Sequence, residues 1–407
     1  MSAWSRLDPE IRAGVAYSFK VFLGVRLALF AIGLIGVALL PDFSHVNPSI
    51  LKTLPTVPTP VSVPGWPAAS ITPGWHNLFT SWERLDALWF LRIASGGYSS
   101  TDASAAFFPL YPIAIRFLSA ATGGHPFAAS LLISNTAFLG ALIVLHALTR
   151  SELGEEAARK AVLYAAVFPT ALFFFAPYSE ALFLLLVLLC LWSARRSRWA
   201  AAGISGALAA LTRNLGVILV LPLATEALLQ SLEHRPWRFP IRGMAWSAGP
   251  AAGLLAYLLY WRWRSGDLLA PLHQQANWQR HLSNPLTTLA RGTRMAFAYP
   301  GTYPGGYHLL DWLTAAFVLA VGVLAIVRLR PTYGVFAAAS LIAPLTSMFG
   351  GRPLIAYSRY ALPVFPIYWA MGMLSGRSRA RHELLVAVSA ALLGLMTLLF
   401  VNWYFVI

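Results

Sequence analysis

F-K-V-F-L-G-V-R-L-A-L-F-A-I-G-L-I-G-V-A-L-L, Phe19 to Leu40, is an apolar run long enough to cross a bilayer as a helix. Its length, and the lack of a small-residue cleavage site after it, read as a retained first span rather than a removed signal. Similar runs of roughly 17–25 residues recur along the chain. Hydrophobic residues make up 58% of the 407 positions and charged residues only 11%, so a soluble globular domain is excluded. The mean hydropathy is +0.63. The reading is an all-α polytopic membrane protein.

The net charge of +15 reads as an orientation signal rather than a nucleic-acid footprint. Basic residues cluster at Arg6, Arg12 and Lys20; Arg150, Arg159 and Lys160; Arg195, Arg196 and Arg198; Arg235, Arg238 and Arg242; Arg328 and Arg330; and Arg377, Arg379 and Arg381. Placing every cluster in the cytoplasm predicts crossings near 17–40, 126–149, 158–175, 178–194, 199–212, 214–230, 243–263, 309–328, 332–349, 359–375 and 384–405. That makes about 11 transmembrane helices in one domain spanning 1–407, with the N-terminus cytoplasmic. The pair 199–230 is short for two full spans, which predicts half-length or tilted helices meeting near Arg213. The single cysteine, Cys190, permits no disulfide within the chain.

The polar oddities then fall on the extracytoplasmic side. They lie in the first loop, 41–125, in A-P-Y-S-E at 176–180, in T-R-N at 212–214, in a second large loop, 264–308, and in G-G-R-P-L-I-A-Y-S-R-Y at 350–360. The Pro-rich part of the first loop, 41–77, is expected to run extended. Residues 78–94 carry Leu78, Trp82, Leu85, Trp89 and Ile93 at helical spacing, and predict an amphipathic helix in the membrane interface. Its other face holds Glu83 and Asp86, three residues apart. F-F-P-L-Y-P-I-A-I-R-F-L, 107–118, predicts a second interfacial or re-entrant helix.

Each polar group has a plain and a chemical reading. Glu83 and Asp86 are either the wet face of that helix, with Arg84 and Arg92 as partners, or a general base. Glu180 is a helix-start carboxylate capped by Ser179, or an intramembrane functional group. Arg213 pairs with Glu180 or binds phosphate. Arg352, Tyr357, Arg359 and Tyr360 are interface anchors or a phosphate- or sugar-binding lip. H-Q-Q-A-N-W-Q-R-H, 273–281, suits stacking a sugar but is also ordinary loop chemistry. His273 and His281 lack metal spacing, and no nucleotide-binding loop or G-x-S-x-G elbow occurs.

R-L-D-A-L-W-F-L-R-I-A-S-G-G-Y, 84–98, followed by A-F-F-P-L-Y-P, 106–112, resembles the PIG-V family of GT-C mannosyltransferases. That family carries Trp-Asp-Ala…Ile-Ala-x-x-Gly-Tyr and then Ala-Phe-Phe-Pro-x-x-Pro. The resemblance continues through F-P-T-A-L-F-F-F-A-P-Y-S-E-A-L-F, 168–183, T-R-N-L-G, 212–216, and S-R-Y-A-L-P-V-F-P, 358–366. Leu85 stands where the family prefers Trp, and R-N-L-G departs from Arg-x-Asn-Gly.

The resemblance implies a GT-C-like bundle and an inverting transfer of mannose, or a related hexose, from a polyprenyl-phosphate sugar to a lipid or glycan acceptor. It implies that no nucleotide is needed, and the residues assign no cofactor and no metal. On it, Asp86 is the base and Glu83 its neighbour. Arg213, with Arg352 or Arg359, would hold the lipid phosphate. Tyr178, Ser179 and Glu180 would line the sugar or acceptor pocket, with Asn214, Tyr360, His273 and Gln274 as further contacts. An Ala- and Arg-rich chain whose only Asn-x-Ser/Thr triplet contains Pro suggests a prokaryotic plasma membrane, with membrane lipids as surroundings. The alternative is a multi-spanning lipid or sugar transporter without transferase activity.

Overall fold

The structure is a computed structural model, and it describes residues 8–39, 61–63, 66–69, 79–100, 102–121, 123–234, 239–275, 280–298, 303–349, 352–402 and 404. In chain order come α1 (Pro9–Leu39), the hairpin strands β1 (Val61–Val63) and β2 (Trp66–Ala69), α2 (Asp86–Gly96), α3 (Leu110–Ala121), α4 (Pro126–Leu153) and α5 (Glu155–Val167). Then follow α6 (Glu180–Arg195), α7 (Trp199–Thr212), α8 (Val220–His234), α9 (Ile241–Ser247), α10 (Gly249–Ser265), β3 (Arg280–Leu282), α11 (Pro285–Ala298) and α12 (Tyr303–Arg328). The chain ends with α13 (Pro331–Ile342), β4 (Ser347–Phe349), α14 (Tyr357–Ala361), α15 (Pro366–Ser375) and α16 (Arg379–Val401). Most of the Pro-rich expectation over 41–77, like the basic cluster at 235–238, lies outside the described residues. The strands β1 and β2 within it pair antiparallel.

The protein is a mostly helical, multi-pass membrane protein. Among the described residues five helices are long and apolar enough to cross a membrane: Pro9–Leu39, Pro126–Leu153, Asn214–Glu233, Tyr307–Arg328 and Arg379–Val401. The remaining expected crossings are helical but shorter or broken. The stretch 158–175 leaves the helix at Phe168, where φ −55 and ψ 142 turn the chain out before a single 3-10 turn at Ala171–Phe174. Likewise 243–263 breaks at Ala248, between α9 and α10. The expected meeting point near Arg213 is a break in the structure too. α7 ends at Thr212, Arg213 is extended, and a 3-10 stretch, Asn214–Leu219, leads into α8.

The chain divides into two compact units, Met1–Tyr98 with Tyr111–Leu182 and Leu374–Val406, and Ser99–Leu110 with Phe183–Met373 and Ile407. The first unit packs on aromatic rings. Phe138 stacks on Phe174 with centroids 4.4 Å apart, and Trp82 lies between Phe175 at 4.3 Å and Phe400 at 6.1 Å. Such pairs add about 0.5–1.5 kcal/mol beyond the area they bury. α4 gives way to α5 at Gly154, whose φ of 88° suits a residue without a side chain.

In the second unit α7 and α10 approach as closely as backbones allow. A Cβ at Gly249 would sit 2.3 Å from the Gly203 carbonyl oxygen, and one at Gly253 2.3 Å from that of Ala207. Small residues at such contacts are what let membrane helices pack. A fully buried carboxylate, Glu226, accepts from Arg195 at 2.8 Å, Arg330 at 3.0 Å and Gln230 at 2.8 Å, and from the Thr332 hydroxyl. Two of the charges that set orientation in the sequence therefore also join α6, α8 and the start of α13. A buried carboxylate is tolerated because it is paired this way.

Candidate active site

Of the helix expected over 78–94, residue 78 lies outside the described residues, 79–80 are helical, and after a break the helix runs from Asp86 onward. Residues 81–85 form turns, and Leu85 takes φ 56° and ψ −121°, a conformation uncommon outside glycine and costing about 1–3 kcal/mol. Tertiary bonds take the carbonyls that a continuous helix would need. Arg84 Nη1 donates to Thr80 O (2.8 Å) and Glu83 O (3.2 Å), and Arg84 Nε donates to Val401 O (3.2 Å) at the end of α16. The Tyr178 hydroxyl donates to Arg84 O (3.0 Å). Nor does α2 show the exposed face of an amphipathic helix, because Ala87–Leu91, Ile93 and Ala94 are all buried.

This geometry separates the two acids. Asp86 is half-buried and opens α2. Glu83 is half-buried in the turn before it. Burial pushes its carboxyl up to about 7, against the pull of the Arg84 guanidinium. Arg84 is itself lowered to about 9 by burial, offset in part by Glu83. A carboxyl that titrates near neutrality beside a helix-start carboxylate is an arrangement able to take up and release a proton.

Tyr178, Ser179 and Glu180 belong to the same unit and are almost completely buried. Tyr178 is a strut as well as a motif residue. Its carbonyl accepts from Ser134 (3.0 Å), and Ser134 shares a 2.7 Å hydrogen bond with Tyr111. Glu180 begins α6, as its helix-start reading expects.

The other expected site residues fall in the second unit. Arg213 places its guanidinium carbon 5.6 Å from the centre of the Tyr360 ring, and Arg280 places its own 5.3 Å from the same ring. Two cations on one aromatic ring gather positive charge that suits an anion. Arg280 reaches this position because β3 pairs antiparallel with β4, Arg280 opposite Phe349. The sequence reading missed it, although W-Q-R-H contains it. Arg359 is buried one residue before Tyr360.

Arg352 stands differently. Asp311 holds it with two hydrogen bonds, at 2.5 and 2.8 Å, and Tyr307 lies under its guanidinium at 4.7 Å. Its charge is matched within the protein, by an acid near the start of a span that sequence reading passed over. His273 bonds Asp267 at 2.8 Å in an exposed pair, and that bond holds the Asp267 carboxyl below its usual range. The Gln274 side-chain oxygen accepts from Ala105 N (2.8 Å), while the Tyr257 hydroxyl donates to Ala105 O (2.9 Å) and Phe107 O (3.1 Å). Gln274 thus supports the A-F-F-P motif. Asn214 is exposed and its Oδ1 accepts from Leu215 N (2.9 Å). Among the described residues no three His, Cys, Asp or Glu side chains group as a metal site.

The helices define a multi-pass membrane protein, with half-buried carboxylates in one unit and ring-held arginines in the other. A family model described as Mannosyltransferase (PIG-V) matches residues 58–231, the stretch holding the 84–98, 106–112, 168–183 and 212–216 motifs. Over that stretch the chain is similar to the mannosyltransferase family that its motifs resemble. Comparison with curated proteins gives no match. Among solved structures, ArnT from Cupriavidus metallidurans bound to undecaprenyl phosphate is similar at 17% identity and TM-score 0.49, over 76% of this chain and 59% of that one. The Archaeoglobus fulgidus oligosaccharyltransferase tethered with an acceptor peptide is similar at 14% identity and TM-score 0.44, over 94% of this chain and 55% of that one. The chain spans little more than half the length of these two proteins.

Proposed function

We propose that the protein transfers mannose, or a related hexose, from a polyprenyl-phosphate sugar to a hydroxyl of a lipid or glycan acceptor on the extracytoplasmic face of the membrane. The observation that carries this reading is the carboxylate pair Glu83 and Asp86. It is half-buried, it sits inside the stretch that matches the mannosyltransferase family, and one member titrates near 7.

In the reaction the acceptor oxygen attacks the anomeric carbon from the face opposite the phosphate. The new C–O bond forms as the bond to the phosphate oxygen breaks, so configuration inverts. Asp86 takes the acceptor's proton, and polyprenyl phosphate leaves as an anion that needs no acid. Glu83 binds the acceptor hydroxyl or tunes its neighbour. In the second unit, Arg213 and Arg280 on their shared ring carry charge that suits a phosphate. Arg359 lies one residue from the ring they share, whereas Arg352, matched by Asp311, supports the loop before α14. Tyr178, Ser179 and Glu180 stand behind the acceptor side. The loops 41–125 and 264–308 face outward and the N-terminus faces the cytoplasm.

The test is a transfer assay on purified protein in detergent, with radiolabelled polyprenyl-phosphate-mannose and a membrane-lipid extract as acceptor pool. Label is expected to move into a new lipid- or glycan-linked product. Folded protein that transfers nothing from mannosyl, glucosyl and arabinosyl donors, yet moves labelled lipid across vesicles, would replace this reading with transport.

A further inference from the structure

Arg26 lies deep in α1, an apolar helix long enough to cross the membrane. Its side chain is buried, and among the described residues it forms no ion pair. Three rings surround its guanidinium carbon: Phe138 at 4.6 Å, Phe22 at 5.1 Å and Phe175 at 5.4 Å. Its Nη2 donates to the Phe174 carbonyl at 3.1 Å, while Nε and Nη1 are buried without a hydrogen-bond partner among the described residues. A leucine or methionine would fill such a place without the desolvation that a cation suffers there. A charge kept under those conditions calls for a use.

The acceptor of its one hydrogen bond shows what that use is. Phe174 closes the single turn Ala171–Phe174, whose carbonyl end a cation complements. The next residue, Phe175, carries a ring 4.3 Å from that of Trp82, which precedes Glu83. Three residues further on, the Tyr178 hydroxyl holds the Arg84 carbonyl at 3.0 Å. The turn 171–178 therefore grips residues 82–84 at two points on either side of Glu83, two positions before Asp86. Phe138 of α4 stacks on Phe174, and Arg26 of α1, which lies over the Phe138 ring, bonds the Phe174 carbonyl.

We infer that Arg26 is a positioning residue for the carboxylates Glu83 and Asp86, acting through the Phe174 carbonyl and the Phe175–Trp82 ring contact. The inference rests on the transferase reading for its catalytic consequence, but not for its structural one. Arg26 touches neither donor nor acceptor. It sets where the turn 171–178 sits, and the turn sets the backbone that carries the acids. A shift of about 1 Å in that backbone is enough to lose about a hundredfold in rate.

The experiment compares wild type, Arg26→Lys and Arg26→Met in two arms. In the transfer assay, Arg26→Met is expected to lower kcat per folded molecule by about tenfold to a hundredfold, with the KM for the polyprenyl-phosphate sugar nearly unchanged. Arg26→Lys, which keeps the cation and one donor, is expected to recover most of that rate. In hydrogen exchange, the amides of 171–178 are expected to exchange about tenfold faster in Arg26→Met while those of α4 do not change. A merely structural role predicts the opposite pattern, a lower melting temperature with kcat per folded molecule unchanged, and that result would overturn the inference. Should Arg26→Met fail to fold, Arg26→Gln is read in its place against the same expectations. If wild type transfers nothing from any donor, the transferase reading falls. The exchange arm then decides alone whether Arg26 holds the turn, and unchanged exchange would end the proposal.

Discussion

The two regions that carry the charge hold it in opposite ways. Around residues 80–86 the buried cations are met by backbone and rings. Arg84 gives its hydrogen bonds to the Thr80, Glu83 and Val401 carbonyls, and Arg26 lies among Phe22, Phe138 and Phe175. Around residues 311–360 one arginine, Arg352, is matched by a carboxylate, and two others, Arg213 and Arg280, share the Tyr360 ring. In the first region, carbonyls and rings orient the cations, and burial raises the Glu83 carboxyl to about 7 against the pull of Arg84. In the second region one cation is held by a carboxylate, and two lie against one aromatic ring. The proposed division, proton transfer in the first region and phosphate binding in the second, matches those two arrangements.

Substitutions that sever one half and spare the other sharpen this contrast. Asp86→Asn removes the carboxylate proposed as the base and keeps the shape, so transfer is expected to fall by about 10²–10⁴-fold in a radiolabel assay. Arg280→Gln leaves the acids alone and removes one of the two cations at Tyr360. The KM for the lipid-phosphate donor is expected to rise by about tenfold or more, since a hydrogen bond to a charged group is worth about 1.5–3 kcal/mol. Substitution of Asp311 by Asn acts elsewhere again. It strands the guanidinium of Arg352, so a stability loss of about 3 kcal/mol is expected in denaturant or thermal unfolding, larger than any change in donor KM.

The smallest effect concerns pH. Burial raises Glu83 from its ordinary 4.5 to about 7, so between those values the folded protein holds a proton that the unfolded chain releases. The stability from this group is full below 4.5 and is lost as pH rises through about 7. Glu83→Gln stays uncharged throughout. Its melting temperature is expected to exceed that of wild type at pH 8, with the gap closing as the buffer is brought down toward pH 4.5. An equal gap at both ends of that range would mean that Glu83 is not held protonated by burial.

Much of the helical frame was legible in hydropathy. The expected span 199–212 coincides with α7, and the break at Arg213 was anticipated from the shortness of the two segments around it. The carboxylates were legible because acids are scarce in this chain. The break at 81–85 was not, because its cause lies far along the sequence. The carbonyls of that turn are captured by a guanidinium that also reaches Val401, and by the hydroxyl of Tyr178. Arg280 escaped for the same reason, since only the β3–β4 ribbon carries it to Tyr360. Local periodicity carries no record of a partner that another element supplies. Arg26 and Asp311 were visible in principle as lone charges in apolar runs, which was the same signal that drew attention to Arg213.

The most direct test of the division of labour is steady-state kinetics of Asp86→Asn and Arg280→Gln side by side with the labelled polyprenyl-phosphate sugar. Asp86→Asn is predicted to lose kcat with donor KM nearly unchanged, and Arg280→Gln to raise donor KM with much of kcat retained. Full kcat in Asp86→Asn, or the two effects exchanged between the variants, would contradict the assignment of proton transfer to the first region and phosphate binding to the second.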